Sequence, residues 1–130
     1  AGCGAPEAFA ASQIKEWADN FSGREQLAIK KYAEALEIIP LTISENAGMD
    51  PIDTMATLRS KQNQGQKWTG IDAKNTKIAD MMAINVVEPI VVKEQIIKSA
   101  TEAACMILRI DDVIAISGGP GGGGGMPPMG

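Results

Sequence analysis

A long amphipathic segment near the end of the chain constrains the fold more than any other feature. Side chains three and four positions apart share one face of an α-helix. The apolar residues that follow this spacing are Val92, Ile96, Ile97, Ala100, Ala103, Ala104, Ile107 and Leu108. The pattern therefore predicts a long helix whose apolar face packs against a core.

Two short runs before this helix predict a small β element. Thr69–Asp72 and Lys77–Asp80 are separated by a polar stretch that contains Lys74, Asn75 and Thr76. Short apolar runs divided by turn-forming residues are typical of a hairpin or of paired turns. A ligand could bind along the edge of such an element.

Glu88 stands immediately before Pro89, where the long helix should begin. Proline restricts the preceding residue to an extended conformation and is favoured in the first helical turn. The carboxylate could stabilise the positive end of the helix dipole. It could also accept hydrogen bonds from the sugar hydroxyls of a nucleotide. The spacing alone leaves both interpretations open.

Helix signals occupy the first half of the chain. One helix should follow Pro6, a second should open at Arg24, a third, short helix should follow Pro40, and a fourth should start at Asp50. Pro40 is expected to end or kink the second helix. Residues 112–116 predict a short final strand, whose exposed apolar edge requires a partner and so predicts an oligomer. The predicted fold class is mostly α.

Charge and cysteine content argue against several classes of function. Twelve basic residues against sixteen acidic ones, without histidine, provide no basic surface for nucleic acid or anionic membrane. No apolar run reaches the roughly 18 residues of a membrane span, and no leader is visible, so we expect a cytoplasmic protein. Cys3 and Cys105 do not have the spacing of a disulfide framework or a metal site.

Several short stretches together resemble one family. GCGAPE, REQLAI, ALEIIP, ENAGMDPID, VEPIVVK and SATEAACMILRIDDVIA occur in this order within residues 1–117. They are similar to the C-terminal half of the equatorial domain of type II chaperonins, the TCP-1/cpn60 family, and fit the archaeal thermosome branch better than the eukaryotic cytosolic branch. The resemblance implies a helical bundle with a small β-hairpin and a C-terminal edge strand.

The resemblance also implies a domain organisation. Residues 1–117 would be part of the ATP-binding equatorial domain of a subunit about four times as long as this chain. Residues 118–130, which are rich in Gly, Met and Pro, would form a disordered tail. We therefore expect this chain to be a fragment of a longer subunit.

The family's GGGAxE loop packs its main chain against a bound nucleotide. The resemblance assigns this role to Gly2, Cys3 and Gly4. Cys3 replaces the central glycine of the pattern, which would disfavour a left-handed backbone at that position. The role of Cys3 depends on whether the loop can keep its shape with a side chain there.

The remaining site residues are also assigned by resemblance. Asp72 and Ala73 would lie near the adenine, Glu88 would accept hydrogen bonds from the ribose hydroxyls, and Lys93 would be a weaker candidate near the same ring. The alternative is that Asp72 and Lys93 are ordinary surface charges.

The function that the resemblance implies is ATP-driven protein folding by a double ring. The cofactors would be ATP or ADP with Mg²⁺, and the partners would be other chaperonin subunits and unfolded proteins. The family's GDGTT-type phosphate loop and catalytic Asp do not occur here, so we expect no catalytic residue and no metal ligand in this chain, although the complete subunit should be an ATPase. The alternative is a helical interaction module that binds no nucleotide.

Overall fold

The computed structural model describes residues 1–117, with side chains described through Ile110. Its elements are α1 (Ala5–Ala18), α2 (Gly23–Asn46), α3 (Pro51–Asn63), β1 (Thr69–Asp72), β2 (Lys77–Asp80) and α4 (Ile90–Ser117). The predicted mostly helical fold class is confirmed. The chain forms two compact units, of which the first is Ala1–Glu88 and the second begins at Pro89. The predicted tail at 118–130 lies outside the described residues.

Small residues allow α1 to approach α2 closely. An added Cβ on Gly4, just before α1, would lie 2.7 Å from the Cβ atom of Pro40 in α2. This contact therefore leaves no space for a side chain at Gly4. The alanines buried along α1 are Ala5, Ala8, Ala11 and Ala18. Because methyl side chains keep the helix surface shallow, the backbones of α1 and α2 can pack at short range.

Pro40 does not end α2, and the separate short helix predicted after it is absent. Helix α2 is continuous from Gly23 to Asn46. Proline inside a helix removes one backbone hydrogen bond and normally disrupts the helix. Here the ring of Pro40 is fully buried and lies against Gly4. We infer that this packing offsets the lost hydrogen bond, which no local sequence pattern reveals.

Helix α3 begins where its sequence predicts. The Asp50 Oδ1 atom accepts hydrogen bonds from the amides of Ile52 and Asp53, both at 2.9 Å, and Pro51 occupies the first helical position. These are the usual ways of satisfying the first amides of a helix. In the core, the buried Leu58 of α3 packs with Met55 and Ala8.

The predicted hairpin is confirmed. Strands β1 and β2 pair antiparallel, with Thr69 opposite Asp80 and Asp72 opposite Lys77. All four residues of β1 are buried. The amide of Ile71 also donates to the carbonyl of Cys3 at 3.2 Å, so β1 contacts the loop before α1 as well as β2.

The strand predicted at residues 112–116 is wrong, because α4 continues through Ser117. A strand satisfies its backbone polar groups only beside another strand, whereas a helix satisfies them internally. The strands in the described part of the chain are β1 and β2, which pair with each other. The helix is therefore the conformation that leaves these backbone groups paired.

Helix α4 is present as predicted, but its apolar face is not buried. Val92, Ile96 and Leu108 are all exposed. Periodicity identifies which face of a helix is apolar, but a neighbouring element must cover that face. The face that the sequence predicts to be core-facing is therefore not covered by the described residues of this chain. Within residues 1–117, no helix is long and apolar enough to cross a membrane.

Candidate functional site

A tight loop of Gly2, Cys3 and Gly4 leads into α1. The carbonyl of Gly2 accepts the amide of Ala5 at 3.2 Å, and Gly4 adopts a left-handed conformation with φ 76° at the helix start. Cys3 is also left-handed, with φ 51°. This conformation costs a non-glycine residue about 1–2 kcal/mol. The loop thus keeps a left-handed backbone at Cys3, although a side chain disfavours that conformation.

Glu88 lies directly beside this loop. A Cβ added to Gly2 would lie 3.0 Å from the Glu88 Oε1 atom and 3.1 Å from the Val86 Cγ1 atom. The amide of Gly2 donates to the carbonyl of Val86 at 2.9 Å, which holds the two segments together. Glu88 is exposed. The loop and the Glu88 carboxylate therefore lie side by side, and a side chain at Gly2 would crowd them.

Helix α4 starts at Ile90 and has no acidic residue in its first turn. Glu88 therefore precedes the helix and is not part of its first turn. A carboxylate two residues before the helix is still near its positive end, so both interpretations of Glu88 stay predictions.

Asp72 closes the turn between β1 and β2. Its Oδ1 atom accepts the amide of Asn75 at 3.2 Å, and its Oδ2 atom accepts Asn75 Nδ2 at 2.7 Å. The hydrogen bond from the Asn75 side chain is the main reason that the pKa of Asp72 lies below its ordinary value, and burial opposes this shift. Asp72 is only 7 % exposed, so it is not an ordinary surface charge.

Strand β1 joins this turn to the loop before α1. Besides the hydrogen bond between Ile71 and Cys3, the buried Gln62 of α3 links the two segments. Its Nε2 atom donates to the carbonyls of Ala5 and Thr69, at 2.9 and 3.1 Å. The loop and β1 are therefore held in one arrangement by hydrogen bonds to each other and to α3.

The other two predicted residues differ in position. Ala73 is exposed in the hairpin turn, and its amide donates to the carbonyl of Ile71 at 3.1 Å. Lys93 is half-buried on α4, in the second compact unit. The structure thus brings Glu88 together with Gly2, connects the turn of Asp72 and Ala73 to the loop through β1, and places Lys93 in a different unit.

Comparisons with known proteins identify the family of this chain. Residues 1–117 match the TCP-1/cpn60 chaperonin family. The chain belongs to this family. Thermosome subunit beta of Archaeoglobus fulgidus is 52% identical, over 98% of this chain and 24% of the relative. Thermosome subunit 1 of Haloferax volcanii is 55% identical, over 93% of this chain and 22% of the relative.

A solved chaperonin structure has the same fold. The open state monomer of a group II chaperonin from Methanococcoides burtonii superposes with a TM-score of 0.81 and 45% sequence identity, covering 83% of this chain and 27% of that chain. The predicted family resemblance is therefore confirmed. The chain spans about a quarter of the length of these chaperonins. The roles assigned to individual residues stay predictions.

Strained backbone marks three segments of this chaperonin chain. Among the described residues, the non-glycine residues with positive φ are Cys3 at 51°, Thr76 at 52° and Asn85 at 57°. They lie in the loop before α1, in the hairpin turn and just before the segment that contains Glu88. Such conformations are frequent at functional sites. The first two of these segments carry assigned residues, and Asn85 lies three residues before Glu88.

Sequence reasoning missed Asn75, Thr76 and Asn85. A signal existed for two of them, because Asp and Asn side chains often hydrogen-bond backbone groups two or three residues away and Asn tolerates the left-handed region. Nothing in the sequence marks Thr76, since β-branched residues rarely adopt a positive φ. Within the described residues, no group of three or more His, Cys, Asp or Glu side chains could hold a metal ion.

Proposed function

We propose that this chain is part of a subunit of an ATP-dependent protein-folding chaperonin and contributes one side of its nucleotide site. Family membership supports a chaperone role. The complete subunit would assemble with other chaperonin subunits in a double ring, act on unfolded proteins and work in the cytoplasm. These activities belong to the whole subunit, of which a chain of this length is about a quarter.

One observation carries the proposal, namely the position of the Glu88 carboxylate against Gly2. A glycine allows a ligand to approach the backbone closely. An ionised carboxylate offers two oxygens that only accept hydrogen bonds. Ribose carries two adjacent hydroxyl donors, so an exposed carboxylate beside a glycine loop suits this sugar. We assign binding of the ribose to Glu88 and binding of the base to Asp72 and Ala73. The main chain of Gly2, Cys3 and Gly4 would pack against the nucleotide.

The residues present fit ATP or ADP on the sugar and base side. The fit rests on Gly2, because any side chain there would occupy the space beside Glu88. Mg²⁺ would bind with the phosphates. The sequence contains no GDGTT-type loop, so we assign the metal ligands and the hydrolytic aspartate to the rest of the subunit. Lys93 stays a weaker candidate near the nucleotide.

Replacing Glu88 tests the proposal. In the complete subunit, Glu88→Ala should weaken ADP binding about ten-fold or more, because hydrogen bonds to a charged acceptor contribute about 1.5–3 kcal/mol. Titration calorimetry with ADP measures the change. Glu94→Ala is the matched control, since it removes the same charge from an exposed position on α4 and should leave ADP binding unchanged.

The competing interpretation predicts a different result. If Glu88 only complements the dipole of α4, Glu88→Ala should lower stability by a few tenths to about 1 kcal/mol without changing ADP affinity. A lowered melting temperature with unchanged ADP affinity would therefore remove Glu88 from the site. If the wild-type subunit does not bind ADP, the helical interaction module becomes the better function.

A further inference from the structure

The hairpin turn commits the carboxylate of Asp72 to a structural task. Both of its oxygens accept hydrogen bonds from Asn75, one from the backbone amide and one from the side chain. Asp72 is also nearly buried, which restricts the approach of any ligand to these oxygens. Residues 73–76 of this turn, which include Ala73, are all exposed. The turn therefore presents its backbone and these four residues, while the carboxylate of Asp72 stays inside it.

We propose that Asn75 is a positioning residue for the base side of the nucleotide site, and that Asp72 acts with it as a clamp on the turn and does not itself bind the base. This inference rests on the proposed function. It adds Asn75 to the site and changes the role of Asp72 from a ligand to a support for Ala73.

Strain next to Asn75 explains why the turn needs a clamp. Thr76 follows it with φ 52°, a conformation that β-branched residues disfavour. Without the two hydrogen bonds between Asp72 and Asn75, the turn is free to relax to a conformation that suits Thr76 better. Ala73 would then lose its fixed position. The clamp thus holds a local geometry that the residues of the turn do not prefer on their own.

Titrating ADP against variants of the complete subunit tests the clamp. Asn75→Ala and Asp72→Ala should each weaken ADP binding about three- to ten-fold, the range for loss of ordinary hydrogen bonds. The double variant should bind ADP no more weakly than the weaker single variant, because the two residues act as one unit. Thr76→Gly added to Asn75→Ala should restore part of the affinity, since glycine adopts positive φ without strain.

A second ligand separates positioning from a general structural defect. Inorganic triphosphate lacks both the base and the ribose, so it should bind Asn75→Ala as tightly as it binds wild type. Equal losses of ADP and triphosphate affinity would show that the subunit is damaged as a whole and would overturn the inference. Loss of ADP affinity in Asp72→Ala but not in Asn75→Ala would make Asp72 a direct ligand and would also overturn it.

The Glu88→Ala variant distinguishes failure of this inference from failure of the proposed function. If wild type binds ADP, Glu88→Ala weakens that binding and Asn75→Ala does not, then only the positioning role is wrong. If wild type does not bind ADP, the proposed function fails and the inference fails with it.

Discussion

The first compact unit and helix α4 use similar apolar residues in opposite surroundings. Leu58 of α3 is 0% exposed, whereas Leu108 of α4 is 65% exposed. Both belong to helices that the sequence predicts. The comparison shows that periodicity identifies the apolar face of a helix but does not determine whether the fold covers that face.

Charged residues show the same contrast. Glu37 of α2 is nearly buried and forms ion pairs with Lys15 of α1 at 2.7 Å and Arg59 of α3 at 2.8 Å. It therefore links all three helices of the first unit. On α4, Glu94 and Glu102 are exposed. A carboxylate in the first unit thus connects elements, whereas those on α4 face solvent.

The largest loss of stability should come from truncating the buried Leu58, and the exposed Leu108 provides the comparison. In the 130-residue chain, Leu58→Ala should lower the free energy of unfolding by about 2–5 kcal/mol, because it removes buried methyl groups and leaves a cavity. Leu108→Ala should change it by no more than about 0.5 kcal/mol. Urea unfolding of both variants measures the difference. Equal costs at the two positions would contradict the contrast.

Enlarging an alanine should have the next largest effect. Ala8→Leu should cost about 1–3 kcal/mol, since Ala8 is packed in the core of α1 and has no room for three more carbons. Ala100→Leu is the matched control on the exposed surface of α4 and should be close to neutral. The same unfolding assay applies. A neutral Ala8→Leu would mean that α1 and its neighbours can move apart without cost.

Removing the charge of Glu37 should have a smaller effect. Glu37→Gln keeps the size of the side chain but loses two ion pairs, which should cost about 1–2 kcal/mol because Lys15 and Arg59 are partly solvated. The cost should shrink when salt is raised. Glu102→Gln provides the control at an exposed position on α4. A loss for Glu37→Gln that does not respond to salt would point to packing as the cause.

The smallest change in stability should come from Leu108→Ser, which makes an exposed apolar position on α4 polar. Leu108→Ser should reduce the fluorescence of a hydrophobic dye bound to the 130-residue chain, because it removes exposed apolar surface from α4. The melting temperature should change by only about 2–4 °C. Undiminished dye binding would show that the dye contacts another part of the chain.

Local signals were sufficient for much of this fold. Asp50 followed by Pro51 marks the start of α3 because both residues satisfy helix amides in their own vicinity. The two strands of the hairpin pair across a short turn, so their pattern is also local. The hydrogen bonds of Asp72 with Asn75 span three positions and follow a common turn pattern. They are local too, although the sequence analysis did not predict them.

Distant contacts decided the rest. By itself, the sequence determined the chaperonin family, the mostly helical fold and the hairpin. Tertiary structure decided that Pro40 stays within α2, that residues 112–116 are helical, that α4 is exposed and that Glu88 meets Gly2. The physical reason is the sequence separation of the contacts. Capping and turn hydrogen bonds join neighbours along the chain, whereas burial and the contact of Glu88 with Gly2 depend on the path of the whole backbone.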